Sequence, residues 1–296
     1  MYISIRFPKK VILAIIAILV FSICFAVPSY FGVQSPASAE SSGEYIDLPI
    51  IMYHGVIKEK KLQGKYVISP ETFENDLKYL KENGYTTIVI KDLIDFAYEG
   101  KPLPEKPIMI TFDDGYYNNY LYAFPLLKEY NSKMVFSPIG RYADAYSETV
   151  DTHANYAHAS WDNINEMIGS GLVEVQNHSY NMHTTKGRNG TKKKKGESLD
   201  EYKKLFSEDV MKMQKTIKKN TGIEATTFTY PFGAISNVSV DILKELGFKA
   251  TLTCEAKMNK LYQDPKCLYG LNRFLRPNNV STKAYFEKTV KLDMEK

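Results

Sequence analysis

The feature that most constrains this chain is a pair of adjacent carboxylates directly after an apolar stretch. Residues 107–110 are apolar and predict a buried strand, and Thr-Phe-Asp-Asp-Gly follows at 111–115. Desolvation and like-charge repulsion both oppose the ionisation of two carboxylates at such a place. A divalent cation would resolve the conflict, because it can bind one carboxylate and keep the other ionised as a base. The alternative is an ordinary turn, since Asp-Asp-Gly is also common turn chemistry.

Predicted strands and amphipathic helices alternate about seven times along the chain. This alternation is typical of parallel β–α–β units, and over about 250 residues it predicts a single-domain α/β fold, a distorted (β/α) barrel of about seven parallel strands. Ser69-Pro70 predicts one helix start, and the irregular stretch 140–158 predicts a long surface excursion. Sites in such barrels gather where strands end. Four predicted strands end at His54, Asp113-Asp114, His178 and Tyr230-Pro231.

The N-terminal residues carry the pattern of an export segment. Arg6, Lys9 and Lys10 precede a run at 11–27 that is apolar except for Ser22, and Ala-Ser-Ala at 37–39 offers a cleavage site. The run is at the short end for a spanning helix, so we expect either a cleaved signal peptide or a retained anchor. A secreted or membrane-anchored protein of the cell surface follows from either. The predicted division of the chain is the signal peptide or anchor at 1–39, a linker at 40–47 and one domain at 48–296.

The charge balance and the cysteines bear on nucleic-acid binding and on disulfide formation. Residues 40–296 contain 35 Lys and Arg against 34 Asp and Glu, a formal net charge of +1. This balance gives no support to nucleic-acid binding. Cys254 and Cys267 could pair in an exported protein, and free buried thiols are equally compatible, because sequence spacing says nothing about geometry.

Two histidines supply further candidate metal ligands. His178 ends a predicted strand, and His183 follows five residues later in what we expect to be a loop. A loop can bring both rings to one ion, whereas a helix would need a spacing of four. One carboxylate and two imidazoles bind a divalent metal with coordination positions left open. Combined with the carboxylate pair, the histidines predict a divalent metal site, although two histidines alone are more often surface or core residues.

Three motifs occur in order along the chain: Thr-Phe-Asp-Asp-Gly at 111–115, His-Ser-x-x-x-His at 178–183 and Tyr-Pro-Phe-Gly at 230–233. In this order they resemble the motifs of the polysaccharide deacetylases, the carbohydrate esterases of the NodB-homology type. The resemblance covers about residues 46–292. It implies a distorted (β/α) barrel and a metal-dependent hydrolase that removes acetyl groups from N-acetylated sugars. It also implies the residue roles: Asp113 as general base, and Asp114, His178 and His183 as metal ligands.

Two departures from the family pattern indicate one of its branches. Most members show a histidine spacing of four and an Arg shortly before the third motif's Pro, whereas this chain has a spacing of five and Phe-Thr-Tyr at 228–230. No histidine follows His183, so the usual late catalytic histidine is missing. Met-Tyr-His at 52–54 resembles the poly-N-acetylglucosamine deacetylases of biofilm matrix, in which an early histidine is the general acid. The resemblance assigns this role to His54, with a structural histidine at a strand end as the alternative.

Two supporting residues and a metal complete the expected site. Leu-Asn-Arg-Phe at 271–274 is similar to a late strand of this branch, so Arg273 is expected to orient Asp113, unless it is a plain surface charge. The backbone N–H of Tyr230 is the expected donor to the oxyanion of the tetrahedral intermediate. Zinc is the expected metal, and cobalt, nickel and iron also suit such ligands. His153 and His158 are expected at the surface, with a substrate contact as a further role.

The expected function is removal of N-acetyl groups from poly-β-1,6-N-acetylglucosamine by a monomer at the cell surface. Deacetylation of the N-acetylglucosamine of peptidoglycan in the cell wall is the enzymatic alternative, because it would use the same catalytic groups. The non-enzymatic alternative is a glycan-binding module that has kept the barrel and lost turnover. A complete set of base, acid and ligands argues against that module.

Overall fold

The computed structural model of the chain describes residues 45–292. Within this range no helix has the length and apolar character needed to span a bilayer. The predicted signal peptide or anchor at 1–39 lies outside the described residues. The last two residues of the predicted linker do not behave as a linker, because Ile46 and Asp47 already belong to the first strand.

The eight-residue strand β6 (Pro107–Asp114) lies at the centre of the largest sheet. All of its residues are buried, as expected for a parallel strand that is covered on both faces. Its parallel neighbours are β2 (Ile50–Tyr53), β5 (Thr86–Ile88) and β7 (Met134–Pro138). Strand β8 (Val173–Val175) continues the sheet beyond β7, and β13 (Phe274–Leu275) continues it beyond β2.

A second parallel sheet completes the barrel-like arrangement. It contains β9 (Thr227–Thr229), β10 (Ala250–Leu252) and β12 (Tyr269–Leu271). A bridge between Asn177 and Phe228 joins it to the end of β8. On the other side, Asn272 and Arg273 separate β12 from β13, so the late strand expected to contain Leu-Asn-Arg-Phe at 271–274 is interrupted. The predicted α/β class with mostly parallel strands is confirmed.

Two small strand pairs flank the main sheets. The antiparallel pair joins β1 (Ile46–Leu48) to β11 (Asn259–Leu261). The parallel pair joins β3 (Gly55–Val56), just after His54, to β4 (Val67–Ile68).

Some of the helices begin after a serine cap, including the one predicted at Ser69-Pro70. The Ser69 side chain accepts a hydrogen bond from the Thr72 N–H, and Ser198 caps the longest helix in the same way. The helices are α1 (Pro70–Glu82), α2 (Ile90–Glu99), α3 (Phe124–Tyr130), α4 (Gly140–Glu148), α5 (Trp161–Gly169), α6 (Leu199–Thr221), α7 (Ser239–Glu245) and α8 (Thr282–Ala284). Short π-helical turns, Asn119–Ala123 and Tyr285–Val290, precede α3 and follow α8.

Successive residues of the central strands point into two different apolar clusters. Ile110 and Phe112 pack with the helices outside the sheet, whereas Met109 packs with residues of β10 and β12 on the inner side. Burial of one such side chain stabilises the fold by about 1.5–3 kcal/mol. Because side chains alternate along a strand, Asp113 lies on the inner side with Met109. The central strand therefore delivers a carboxylate to the inside of the barrel at its carboxyl end.

The stretch 140–158 is not the surface excursion that its irregular pattern suggested. Its first half forms α4, and residues 157–159 are buried. The Tyr117 N–H donates to the Ala157 carbonyl, and the Ala159 N–H donates to the Gly115 carbonyl. These bonds tie the segment to the turn that follows β6, a partner too distant in sequence for local periodicity to reveal.

Candidate active site

Three predicted metal ligands converge at the carboxyl ends of the central strands. Asp114 ends β6, while His178 and His183 follow β8. Asp114 Oδ1 lies 3.1 Å from His183 Nε2 and 3.5 Å from His178 Nε2, and the three ligand atoms all lie within 4.8 Å of one another. This oxygen is buried and accepts no well-aligned hydrogen bond from residues 45–292. A buried oxygen left without a donor beside two ring nitrogens fits a divalent metal site.

The ring of His178 is held so that Nε2 faces Asp114. Its Nδ1 lies 2.8 Å from the Thr229 carbonyl, a contact that requires the proton on Nδ1 and leaves Nε2 available as a ligand. Burial raises the pKa of the Asp114 carboxyl, but the imidazoles of His178 and His183 beside it outweigh burial and hold the pKa well below its usual range. The carboxylate is therefore ionised, as a metal ligand must be.

Asp113 forms a buried pair with Arg273. The guanidinium donates to both carboxylate oxygens, with Nη1–Oδ1 and Nη2–Oδ2 distances of 2.7 Å. Arg273 is 0% exposed, so it is not a plain surface charge, and its Nε also donates to the Thr253 carbonyl. Burial disfavours the ionised Asp113 carboxyl, yet Arg273 and His178 outweigh burial and lower its pKa. A bidentate pair of this kind fixes the plane of the carboxylate.

His54 borders the same cavity from the end of β2. A cavity of about 530 Å³ is lined by His54, Asp113, Asp114, His178 and His183. The ring of His54 meets the Tyr66 ring edge to face at 5.1 Å, and its Nδ1 is buried without a hydrogen-bond partner in the described chain. Burial lowers the pKa of His54, although Asp113 and Asp114 act in the opposite direction. The His54 imidazole is therefore largely neutral at pH 7.

Tyr230 does not offer its N–H to the cavity. That N–H donates to the Leu252 carbonyl at 3.0 Å, and the phenol is hydrogen-bonded to Ser239 in the interior. The expectation of an oxyanion donor at Tyr230 is wrong, because the residue continues the ladder between β9 and β10. Phe232, two residues later, lines the cavity instead, and its ring lies 4.2 Å from that of His183. Its left-handed backbone, with φ of 57°, turns it out of the ladder.

His158 is a site residue that the sequence misplaced at the surface. Its Nδ1 lies 3.0 Å from the Asp114 carbonyl, and its ring stacks on Tyr116 and Tyr142. Burial lowers the pKa of His158 to about 4, so the ring is neutral at pH 7. Only the contact itself, between residues 44 positions apart, reveals this role. His153, by contrast, is exposed as predicted.

The two cysteines of the described chain are free thiols. Cys254 lines the cavity, where its Sγ lies 3.7 Å from Arg273 Nη2, whereas Cys267 donates to the Tyr262 carbonyl. The possible disulfide is therefore not formed.

Known proteins share both the sequence pattern and the fold. Residues 100–251, about half of the chain, match the family described as polysaccharide deacetylase. A poly-beta-1,6-N-acetyl-D-glucosamine N-deacetylase of Escherichia coli strain K12 is 26% identical over 308 residues, which cover 95% of this chain and 45% of the relative. A protein of the same name from Staphylococcus aureus strain MRSA252 is 26% identical over 193 residues, covering 65% of this chain and 62% of the relative. The chain spans somewhat less than half the length of the E. coli relative that it matches.

Solved structures of two proteins share the fold of this chain. The de-N-acetylase from Aggregatibacter actinomycetemcomitans aligns with a TM-score of 0.67 and 26% identity, covering 80% of this chain and 97% of that one. IcaB from Ammonifex degensii aligns with a TM-score of 0.66 and 26% identity, covering 83% and 96%. The strands that carry the candidate site therefore have the arrangement found in these enzymes.

Proposed function

Because this chain belongs to the polysaccharide deacetylase family, we propose that it hydrolyses the N-acetyl groups of poly-β-1,6-N-acetylglucosamine. The observation that carries the proposal is one cavity bordered by a candidate base, a candidate acid and a set of metal ligands. The similarity to proteins named as deacetylases of this polymer supports the choice of substrate.

The proposed metal ligands are Asp114, His178 and His183, and zinc is the ion we propose for this oxygen and nitrogen set. When bound, such an ion supplies Lewis acidity, which acidifies water and polarises a carbonyl oxygen. The chain's own contribution is to hold the carboxylate ionised and His178 in the tautomer that leaves Nε2 free.

Asp113 is the proposed general base. Its lowered pKa keeps the carboxylate ionised at neutral pH, and Arg273 fixes the direction of both oxygens. Each oxygen retains a further lone pair that can accept a proton from water. A positioned base of this kind contributes roughly 10²–10⁴-fold to the rate.

His54 is the proposed general acid. An amine leaves a tetrahedral intermediate readily only when it is protonated, and Nδ1 of His54 has no competing partner among residues 45–292. Because burial lowers its pKa, the His54 ring takes up the proton that it donates from water in the cavity, and Asp113 returns the proton it removed to water after turnover. The peptide of Phe232 replaces that of Tyr230 as the proposed oxyanion donor, since Phe232 borders the cavity.

Acetate release by the purified full-length chain tests the proposed function. We expect release from poly-β-1,6-N-acetylglucosamine, loss of release with a chelator, and recovery on addition of zinc. Release from peptidoglycan alone would instead support the cell-wall alternative. Metal binding without acetate release from either polymer would support a glycan-binding module.

We also propose that the chain is exported and acts at the cell surface as a monomer. The basic and apolar pattern of residues 1–39 supports export, with a membrane tether if the segment is retained. Fractionation of cells that express a C-terminally tagged chain tests this proposal. Recovery of the tag in the cytoplasm alone would contradict it.

A further inference from the structure

The segment around His158 is docked directly on the turn that carries the proposed metal ligand. Tyr116 and His158 face each other in an antiparallel bridge. The Ala159 N–H donates to the Gly115 carbonyl at 2.9 Å, and the Tyr117 N–H donates to the Ala157 carbonyl at 2.8 Å. The two backbone bonds set the position of the His158 α-carbon relative to β6 before its side chain makes any contact.

Aromatic rings fix the orientation of the His158 imidazole. The Tyr142 ring stacks on it with centroids 4.3 Å apart, the Tyr116 ring stacks at 4.8 Å, and the Tyr146 ring lies at 5.6 Å. His158 is 8% exposed, so water has little access to its ring. Held in this way, Nδ1 lies 3.0 Å from the Asp114 carbonyl oxygen. Since a carbonyl only accepts, the proton of the neutral ring is on Nδ1.

Asp114 needs such a restraint because its backbone is in an unfavourable conformation. Its φ of 68° lies in the left-handed region, which residues with a β-carbon rarely adopt. Conformations of this kind persist only where the surroundings hold them. The Ile139 N–H also donates to this carbonyl, but that hydrogen bond is long, at 3.4 Å. The His158 contact, at 3.0 Å, is shorter than the contact from Ile139.

We infer that His158 is a positioning residue that keeps Asp114 turned toward His178 and His183 through a hydrogen bond to its backbone carbonyl. This inference rests on the metal site of the proposed function. Groups that orient a metal ligand typically change metal affinity 10–100-fold when they are removed. Loss of the His158 donor should let Asp114 relax toward a common backbone conformation and move its carboxylate away from the two imidazoles.

Zinc affinity of the full-length chain, measured by competition with a chromophoric chelator, tests the inference. His158→Phe keeps a ring between the tyrosines and removes the donor, so we expect zinc to bind about 10–100-fold more weakly. His158→Asn places an amide N–H near the position of Nδ1, and we expect it to recover most of this loss. His153→Phe is the matched control on the same segment. His153 is exposed and stacks on Tyr156, so its affinity should equal that of the wild type.

A second pair of variants covers the case in which His158→Phe does not fold. Asparagine and glutamine both remove the ring, but the glutamine amide lies nearer the position of Nε2 and cannot replace the lost donor. We expect His158→Asn to bind zinc more tightly than His158→Gln, at similar thermal midpoints of the metal-free proteins. Equal affinities in this pair, or wild-type affinity in His158→Phe, would overturn the inference. A wild-type chain that binds no zinc would overturn the proposed metal site itself, which is a separate result.

Discussion

Two buried aspartate–arginine pairs lie close together in this fold and serve different ends. Arg273 pairs with Asp113 at the edge of the cavity, and Arg276, three residues later, pairs with Asp76 of α1 in the interior. The contacts of each guanidinium are bidentate: Arg276 donates through Nε and Nη2 at 2.8 and 2.9 Å. The chemistry of the two pairs is nearly identical, so what surrounds each pair must decide its role.

The two aspartates differ in the hydrogen bonds that each carboxylate accepts in addition to those from its arginine. Asp76 also accepts hydrogen bonds from the Tyr53 phenol at 3.0 Å and from the Thr282 hydroxyl at 2.7 Å, and it is 0% exposed. Asp113 borders a cavity of about 530 Å³ that can admit water and substrate. The carboxylate of the Asp76–Arg276 pair has all of its lone pairs occupied, and its contacts join α1, β2 and α8. The carboxylate of the Asp113–Arg273 pair keeps free lone pairs at the cavity, which is what a base requires.

Amide substitutions at the two aspartates should separate the two roles most strongly. We expect Asp113→Asn to lower kcat roughly 10²–10⁴-fold with zinc still bound, because the proposed base is removed while the proposed ligands remain. Asp76→Asn should lower the free energy of unfolding by about 3–5 kcal/mol, because Arg276 is left buried without its counter-charge. The folded fraction should keep kcat near the wild-type value. Acetate release measures kcat, zinc content measures metal binding, and urea unfolding measures stability. A comparable loss of kcat in Asp76→Asn would show that the two pairs do not have separate roles.

The adjacent residues Tyr53 and His54 extend the comparison, because Tyr53 donates to Asp76 in the interior and His54 lines the cavity. His54→Ala should lower kcat about 10²-fold or more and leave zinc content unchanged, because the proposed acid is not one of the proposed ligands. Tyr53→Phe should cost about 1.5–3 kcal/mol of stability, the loss of one hydrogen bond to a charged group, with little change in kcat. The same assays apply, and wild-type kcat in His54→Ala would show that the acid assignment is wrong.

Lysine in place of each arginine tests the value of the bidentate geometry at constant charge. Arg273→Lys should lower kcat about 10- to 100-fold, because one charge-assisted hydrogen bond of about 1.5–3 kcal/mol that orients the base is lost. Arg276→Lys should reduce stability by a similar free energy and leave kcat nearly unchanged. An Arg273→Lys protein with unaltered kcat would mean that the orientation of Asp113 is set by other contacts.

Acid titration of the metal-free protein gives the smallest expected effect. The folded-state pKa of Asp113 is below its unfolded value, so its ionisation stabilises the fold above about pH 3.9. That stabilisation is lost as the pH falls through the folded-state pKa. The stability difference between the wild type and Asp113→Asn should therefore shrink as the pH falls below about 3.9. A difference that stays constant below that pH would show that the pKa is not lowered.

The parts of the fold and site that could be predicted from the sequence are those marked by residues close together in the chain. The acid pair at the end of an apolar strand and the two histidines predicted the cluster of Asp114, His178 and His183, and the strand–helix alternation predicted the α/β class. The serine that caps α1 was visible for the same reason, because capping depends on the first turn alone.

The contacts that sequence could not provide are those between distant segments. Asp76 pairs with Arg276 across 200 positions, and His158 reaches Asp114 across 44, so no periodicity marks either residue. The error at Tyr230 had a different cause. The sequence motif did not show that the ladder of β9 continues through Tyr230, so that Phe232, with its left-handed backbone, is the residue of the motif that lines the cavity.

The most direct test of the central claim is anomalous diffraction at the zinc edge from crystals of the zinc-loaded full-length chain. We predict one strong peak about 2.0–2.2 Å from Asp114 Oδ1, His178 Nε2 and His183 Nε2, with Asp113 nearby and not bound to it. A peak at other residues, or no peak in the cavity, would contradict the proposed metal centre and the mechanism that depends on it.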